Sequence, residues 1–284
     1  MVSKITRKHL NLDVRDIFSD NIQSLQFFKG FIGQILVKIF RSIEKRIIYH
    51  AKWMNFVSPG FFTYPHIKKL DKNIHLFTNG IDEIFVNNRK AISQVVHTKV
   101  ENRSITITYA GNIGYGQGLE KIVIPVAKHF SNKIRFQLIG DGSSVDLIKN
   151  GIKDESLSNV KLMSPVNRTT LLDYYNKADV FFLQLNDIPA FRKVLPSKIF
   201  DYGSFDKPIL AGVKGVANAF IKENLPDAFL FDPGDVNSVI KYIDSIIENG
   251  FPLINNEVFI EKYSRNNIMN DMLNSIVSCH NEKD

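Results

Sequence analysis

Within "VLPSKIFDYGSFDKPIL", residues 194–210, Pro196, Ser197, Lys198 and Asp201 are of types and spacing that can hold a charged ligand. Pro196 suits the first position of a helix, where its missing N–H costs nothing. Ser197 and Lys198 would then offer backbone N–H groups at the positive end of a helix dipole, which favours a phosphate. Asp201 falls one turn later, on roughly the same face. A carboxylate there can accept two hydroxyl protons at once. The same residues also fit a capped surface helix, so the other elements must decide.

Two glycine-rich stretches offer the complementary half of such a site. "YAGNIGYGQGLE", residues 109–120, carries Gly111, Gly114, Gly116 and Gly118, which let backbone approach a ligand closely. "LIGDGSS", residues 138–144, carries Gly140 and Asp141. Gly114, Gly116 and Gly118 read G-x-G-x-G, which misses the dinucleotide fingerprint by one residue, and Asp141 stands roughly where a ribose-binding acid belongs. A dinucleotide-binding domain is therefore one reading. Against it, the loop opens the second half of the chain, and no catalytic His or Lys motif comes after it.

The elements that must position these residues are legible from Ser104 onward. Apolar runs "ITITYAG", "IRFQLIG", "VKLM", "ADVFFLQL", "KPILAG" and "AFLF" alternate with helical stretches near 118–130, 144–150, 168–177, 197–204 and 216–223. Continuous apolar strands alternating with helices predict a parallel sheet covered on both faces, a doubly wound α/β domain. Ligands of such sheets bind outside the carboxyl ends of the strands. Both glycine stretches and "NDIPAFRKV" after "ADVFFLQL" fall there, and together they fit a nucleotide diphosphate. Helices near 235–248 and 256–278 close the chain.

Ahead of this domain, "LNLDV", "WMNFV" and "NIHLF" read as strands, and Pro59 to Leu70 as a helix. Residues 27–48 carry apolar pairs every four residues, a helical stripe, with Lys29, Lys38, Arg41, Lys45 and Arg46 between them. Such a basic amphipathic helix either lies on an anionic membrane surface or packs on a core with a solvated basic face. Residues 83–103 have no clear period and read as a linker.

Composition sets the bounds. The 284 residues are 44% hydrophobic and 23% charged, ordinary for a globular protein. A net charge of +7 favours anionic partners. The single cysteine, Cys279, excludes an intrachain disulfide and suits a reducing compartment. "MVSKITRKHL" has no apolar core behind its basic residues, so no signal peptide is read. Lys29, Gln34 and Lys38 interrupt the best apolar run, which is too short to span a bilayer.

"GNIGYGQGLE", "LIGDG", "NVKLMSPVNRTTLLDYYNKADVFFLQL" and "PSKIFDYGSFDKPIL" resemble the C-terminal half of family 4 retaining glycosyltransferases of the GT-B fold. They are most similar to the branch that adds amino sugars such as L-fucosamine in bacterial O-antigen and capsule synthesis. "DVRDIFSD", "RSIEKRIIYHAKWMNFVSPG" and "LFTNGID" resemble the last part of that family's N-terminal domain. The resemblance implies a partial acceptor-side Rossmann-like domain over 1–90 and a linker over 91–103. It implies a complete Rossmann-like donor domain over 104–255, and a helix over 256–284 that crosses back.

It further implies transfer of a sugar from a UDP-sugar donor to a lipid-linked saccharide, without cofactor or metal. The protein would be cytoplasmic and peripheral at the inner face of the membrane, touching anionic lipid, with no nucleic acid as partner. Gly111, Asn112, Gly114, Gln117, Gly140 and Asp141 would lie on the diphosphate side, with backbone amides available. Val166 would sit near the base, and Asp201 would match the second acid of the family's E-x7-E motif, on the ribose hydroxyls. The first acid falls at Lys193, a reversal of charge. Many relatives carry cations where this chain has Asn112 and Gln117, which suggests that Arg192, Lys193, Ser197 and Lys198 meet the diphosphate instead; the alternative is that Arg192 and Lys193 are merely exposed.

On the same resemblance the chain begins in the middle of the N-terminal domain. The expectation is a truncated chain, with its catalytic histidine in a missing N-terminal half and an open sheet edge. A GT-B epimerase, or a remnant that binds nucleotide sugar without transferring it, are the other readings. No clear acid/base pair supports the epimerase.

Overall fold

The computed structural model describes residues 9–17, 19, 31–64, 67, 73–88 and 103–281. The chain divides into two compact units, one of residues 1–80, 188–196 and 263–284, the other of residues 81–187 and 197–262.

In the first unit β1 (Leu10–Val14), β2 (Ala51–Phe56) and β3 (Asn73–His75) form a parallel sheet in the order β1-β2-β3. Helix α1 (Phe31–His50) leads directly into β2. As the middle strand, β2 is covered on both faces, and its side chains alternate between them. Met54 and Phe56 join Ile48 and Phe61 in one cluster. Asn55 ties the sheet together, donating from Nδ2 to Asp13 Oδ1 at 2.9 Å and to the Phe77 carbonyl at 3.0 Å. Within the helix read over Pro59–Leu70, Pro59–Thr63 forms a 3₁₀ turn and Ile67 is helical, while residues 65, 66 and 68–70 lie outside the described residues.

The second unit opens with α2 (Glu83–Asn88), which corrects the linker reading of residues 83–88. The fully buried Phe85 docks this short helix, 5.4 Å from the Tyr175 ring and 6.1 Å from the Phe205 ring. Residues 91–102 of the expected linker lie outside the described residues. Strands and helices then alternate: β4 (Ile105–Ala110), α3 (Glu120–Phe130), β5 (Ile134–Ile139), α4 (Val145–Asp154), β6 (Val160–Met163) and α5 (Arg168–Lys177). After β7 (Val180–Gln184) come α6 (Lys198–Gly203), β8 (Ile209–Gly212), α7 (Val216–Asn224) and β9 (Phe229–Phe231). Helices α8 (Val236–Asn249) and α9 (Glu257–Lys262) complete the unit.

All six strands are parallel, in the order β6-β5-β4-β7-β8-β9. Chain order reverses between β4 and β7, which is the switch point where such sheets open a crevice. The central strands are buried on both faces, as Val180, Phe181 and Phe182 show with no exposed surface. The fold class expected from the strand and helix alternation is therefore the one present.

The single C-terminal helix expected over 256–278 is two helices, α9 and α10 (Arg265–Asn281). Ser264 is the break: its carbonyl accepts the Ile268 N–H at 3.1 Å, and serine is a preferred residue for opening a helix. Helix α10 belongs to the first unit, where Trp53 Nε1 donates to Ser275 Oγ at 2.9 Å. Trp53 leaves β2 on the face opposite Met54, so α1 and α10 cover opposite faces of that sheet.

Candidate functional site

Strands β4 and β5 each end in a glycine, Gly111 and Gly140, and the ladder continues one residue past each strand. The Gly111 N–H donates to the Ile139 carbonyl at 2.8 Å, and the Gly140 N–H to Met163 at 2.9 Å. A Cβ on Gly140 would overlap the Gly111 carbonyl, and its φ of 154° already suits glycine. With no side chain of their own at these two positions, a cleft of about 420 Å³ opens between them and the start of α6.

Lys198 reaches into this cleft from the first position of α6. Its Cε and Nζ fill the space that a Cβ on Gly111 would take. The ammonium also lies 5.2 Å from the centroid of the Tyr109 ring. Burial pushes the Lys198 pKa below the ordinary lysine value, and nearby Asp201 pulls it partly back. A cation held in this state gains from an incoming anion, because the anion replaces hydration already lost.

Aromatic residues make the floor rigid. Tyr202 of α6 is fully buried, stacks on Phe181 at 4.6 Å and accepts the Ala110 N–H at 3.1 Å through its hydroxyl. Tyr109 donates its hydroxyl proton to the Asn112 carbonyl at 2.5 Å. Burial raises the pKa of both phenols, so they stay neutral donors and acceptors.

The cleft brings together Gly111, Asn112, Gly140, Asp141, Val166, Ser197, Lys198 and Asp201 of the residues singled out in the sequence. Gly114 and Gln117 have a supporting place in the glycine loop. Gln117 Oε1 accepts from Asn112 Nδ2 at 3.0 Å and from the Gly114 N–H at 3.1 Å. The loop amides are mostly engaged already: Ile113 donates to the Asp141 carbonyl at 2.8 Å and Tyr115 to Ser143 Oγ at 3.2 Å. Gln117→Ala should therefore cost about 1 kcal/mol of stability by losing these two bonds, read as a lower urea midpoint.

One expectation changes. Pro196 stands one residue ahead of the N-cap, Ser197, rather than in the first helical turn. A residue before proline is biased toward extended backbone, so Leu195 and Pro196 carry the chain into the helix without belonging to it. Arg192 and Lys193 fold with the first unit, in a 3₁₀ turn. Ser58 Oγ donates to the Lys193 carbonyl at 2.5 Å, Lys193 Nζ lies 4.0 Å from the Tyr64 ring centroid, and Val194 packs on that unit's core.

Sequence reasoning missed Arg168, the second cation lining the cleft. It opens α5, with Nη1 3.7 Å from Asp201 Oδ1 and Nε 3.6 Å from Asp82 Oδ2, and its guanidinium carbon is 5.4 Å from the Phe85 centroid. An arginine in the first turn of a helix opposes the helix dipole, a local signal that could have drawn notice. Gln184 and Asn186 were missed as well. Gln184 Nε2 donates to the Gly118 carbonyl at 2.5 Å, and Asn186 Nδ2 donates to that of Tyr115. They fasten the glycine loop to the end of β7, and their signal was polar side chains at the end of an otherwise apolar strand.

Residues 93–266 match the family described as Glycosyl transferases group 1. The chain belongs to this family. Probable glycosyltransferase WbjE of Pseudomonas aeruginosa is 27% identical over 141 residues, 49% of this chain and 35% of that protein. The alignment thus spans about a third of that relative's length. The crystal structure of Anabaena Alr3699/HepE in complex with UDP-glucose superposes with a TM-score of 0.72, over 97% of this chain and 74% of that one, at 16% identity. The lipopolysaccharide outer core galactosyltransferase WaaB, in its apo form, gives 0.61 over 97% and 70%, at 13% identity. At such identities the likeness is one of fold, the GT-B type α/β arrangement with Rossmann-like parallel sheets.

Proposed function

We propose that the cleft at the ends of β4 and β5 takes the UDP part of a nucleotide-sugar donor, and that the protein is a glycosyltransferase. The observation that carries this reading is the desolvated Lys198 ammonium lying against Gly111 on a floor of backbone. In the proposed complex Lys198 meets the diphosphate, with Asn112 beside it. Asp201 takes the ribose hydroxyls, Val166 lies against the base, and Arg168 orients Asp201. The cations serve the leaving diphosphate electrostatically, so no metal or cofactor enters the proposal. The family match and the UDP-glucose complex of the Anabaena relative support the choice of ligand.

The finer reading is transfer with retention of configuration, to a lipid-linked saccharide of a surface polysaccharide such as O-antigen or capsule. The sugar proposed is an N-acetylated amino sugar such as L-FucNAc, and the place is the inner face of the cytoplasmic membrane. The matches to WbjE and to a lipopolysaccharide galactosyltransferase support this direction. Among the described residues no helix is long and apolar enough to cross a membrane.

Calorimetric titration of the chain with UDP, GDP and NAD tests the donor assignment. UDP should bind best without added metal. Preference for NAD would return the cleft to the dinucleotide reading.

A further inference from the structure

Helix α1 has two apolar faces, and the fold uses one. Gly33, Val37 and Ile48 point inward and are buried. Ile32, Ile35, Ile39, Ile43 and Ile47 recur at spacings of three and four and remain exposed, from 41% at Ile35 to 74% at Ile32. Phe31 and Tyr49 extend the exposed apolar surface to both ends of the helix, at 79% and 66%. Burying this row would gain free energy in proportion to its area, and a contiguous row, unlike single scattered side chains, marks an interaction surface.

Charge identifies what covers it. The helix carries Lys38, Arg41, Lys45 and Arg46 against one acid, Glu44. Lys38, Lys45 and Arg46 are exposed, whereas Glu44 is half-buried, its Oε1 accepting the Ser19 N–H at 2.9 Å. The outward side is therefore apolar and cationic, with its one acid turned inward. Helix α10 provides an internal comparison, with an exposed row at Met269, Leu273 and Val277. That row lies on the other side of the sheet, and the helix has one arginine, Arg265, balanced by Asp271. Charge thus separates the two apolar rows.

We infer that the isoleucine row of α1 seats the first unit on an anionic lipid surface. The isoleucines enter the boundary between headgroups and acyl chains, while Lys38 and Lys45 meet the lipid phosphates from the flank. Tyr49 lies at the level of the headgroups, where amphipathic rings concentrate. The inference rests on α1 alone and is independent of the donor cleft.

Co-sedimentation of the full chain with vesicles tests it, using phosphatidylcholine alone or with about 30% phosphatidylglycerol. Binding is expected to the anionic vesicles and to weaken with salt. Lys38→Gln combined with Lys45→Gln should weaken it about 25-fold, at about fivefold per cation. Ile39→Asp with Ile43→Asp should abolish it while the helical circular-dichroism signal of the parent is retained. A fluorophore on Ile39→Cys should shift to the blue with anionic vesicles only. Equal binding to both vesicle types, or to neither, would overturn the inference. A dye on Ile39→Cys that is already blue-shifted without vesicles would mean that part of this chain covers the row. A lipid-free dimer dispersed by the aspartate variant would assign the row to a second copy.

Discussion

Lys198→Met should weaken UDP about 10- to 100-fold, the range for losing a charge-assisted hydrogen bond of about 1.5–3 kcal/mol. The same substitution should raise the Tm of the ligand-free protein. Both outcomes come from one fact: the ammonium is held out of water before any ligand arrives, which lowers its pKa. Methionine keeps the length and apolar stem that fill the space over Gly111 while removing the charge. Uridine, which has the ribose but no phosphate, should bind the variant and the parent alike. The pH dependence has a definite sign. Between the lowered folded pKa and the ordinary lysine value, the unfolded chain holds more protons than the folded one, so stability rises with pH there. UDP affinity runs the other way, falling as Lys198 loses its proton. Calorimetry with UDP and uridine, and melting curves, taken upward from neutral pH through the ordinary lysine value of about 10.4, read both slopes. The Met variant should lack both slopes. Equal losses for uridine and UDP would mean that Lys198 supports packing only.

The large sheet was legible because its strands are continuous apolar runs, a pattern set by burial on both faces. "ITITYAG", "VKLM" and "ADVFFLQL" contain β4, β6 and β7, and residues 168–177 were read as the helix found there. What was lost depends on distant partners. Helix α2 has six residues and is held by Phe85 against Tyr175 and Phe205, which no local period reveals. The division at Ser264 carried a local signal, a serine ahead of a helical stretch, but the apolar pattern on either side ran through it.

The site divides the same way. Gly111 and Gly140 were readable because glycine at a strand end has a direct backbone meaning, and Lys198 and Asp201 because helical spacing puts them together. Arg168 reaches the cleft from another helix, 33 positions before Asp201 by their numbers in the chain. Arg192 and Lys193 belong to the other unit. They are near Lys198 in sequence, yet residues 188–196 leave the second unit and fold with the first. Their partners Ser58 and Tyr64 lie far upstream, so no local pattern reveals that membership.

Asp201→Ala should weaken uridine and UDP together, each by about 10- to 100-fold, because the proposed partners of this carboxylate are the ribose hydroxyls common to both. Arg168 sharpens the prediction. In the parent its Nη1 lies 3.7 Å from Asp201 Oδ1, with the arginine side chain 49% exposed and the aspartate 16%. At that exposure the pair itself is worth at most about 1 kcal/mol, so losing it cannot account for the larger binding loss. Removing Asp201 also leaves the guanidinium more available to a phosphate, so UDP should lose no more than uridine. In a cycle with Arg168→Ala, the arginine change alone should weaken uridine up to about fivefold, and add nothing once Asp201 is gone, if its role is to orient Asp201. UDP should lose somewhat more, with a salt-dependent part. Unchanged uridine binding in Asp201→Ala would refute the ribose assignment. The carboxylate would then be the counter-ion that holds Arg168 in the cleft, and the arginine would become the group to which the ligand answers.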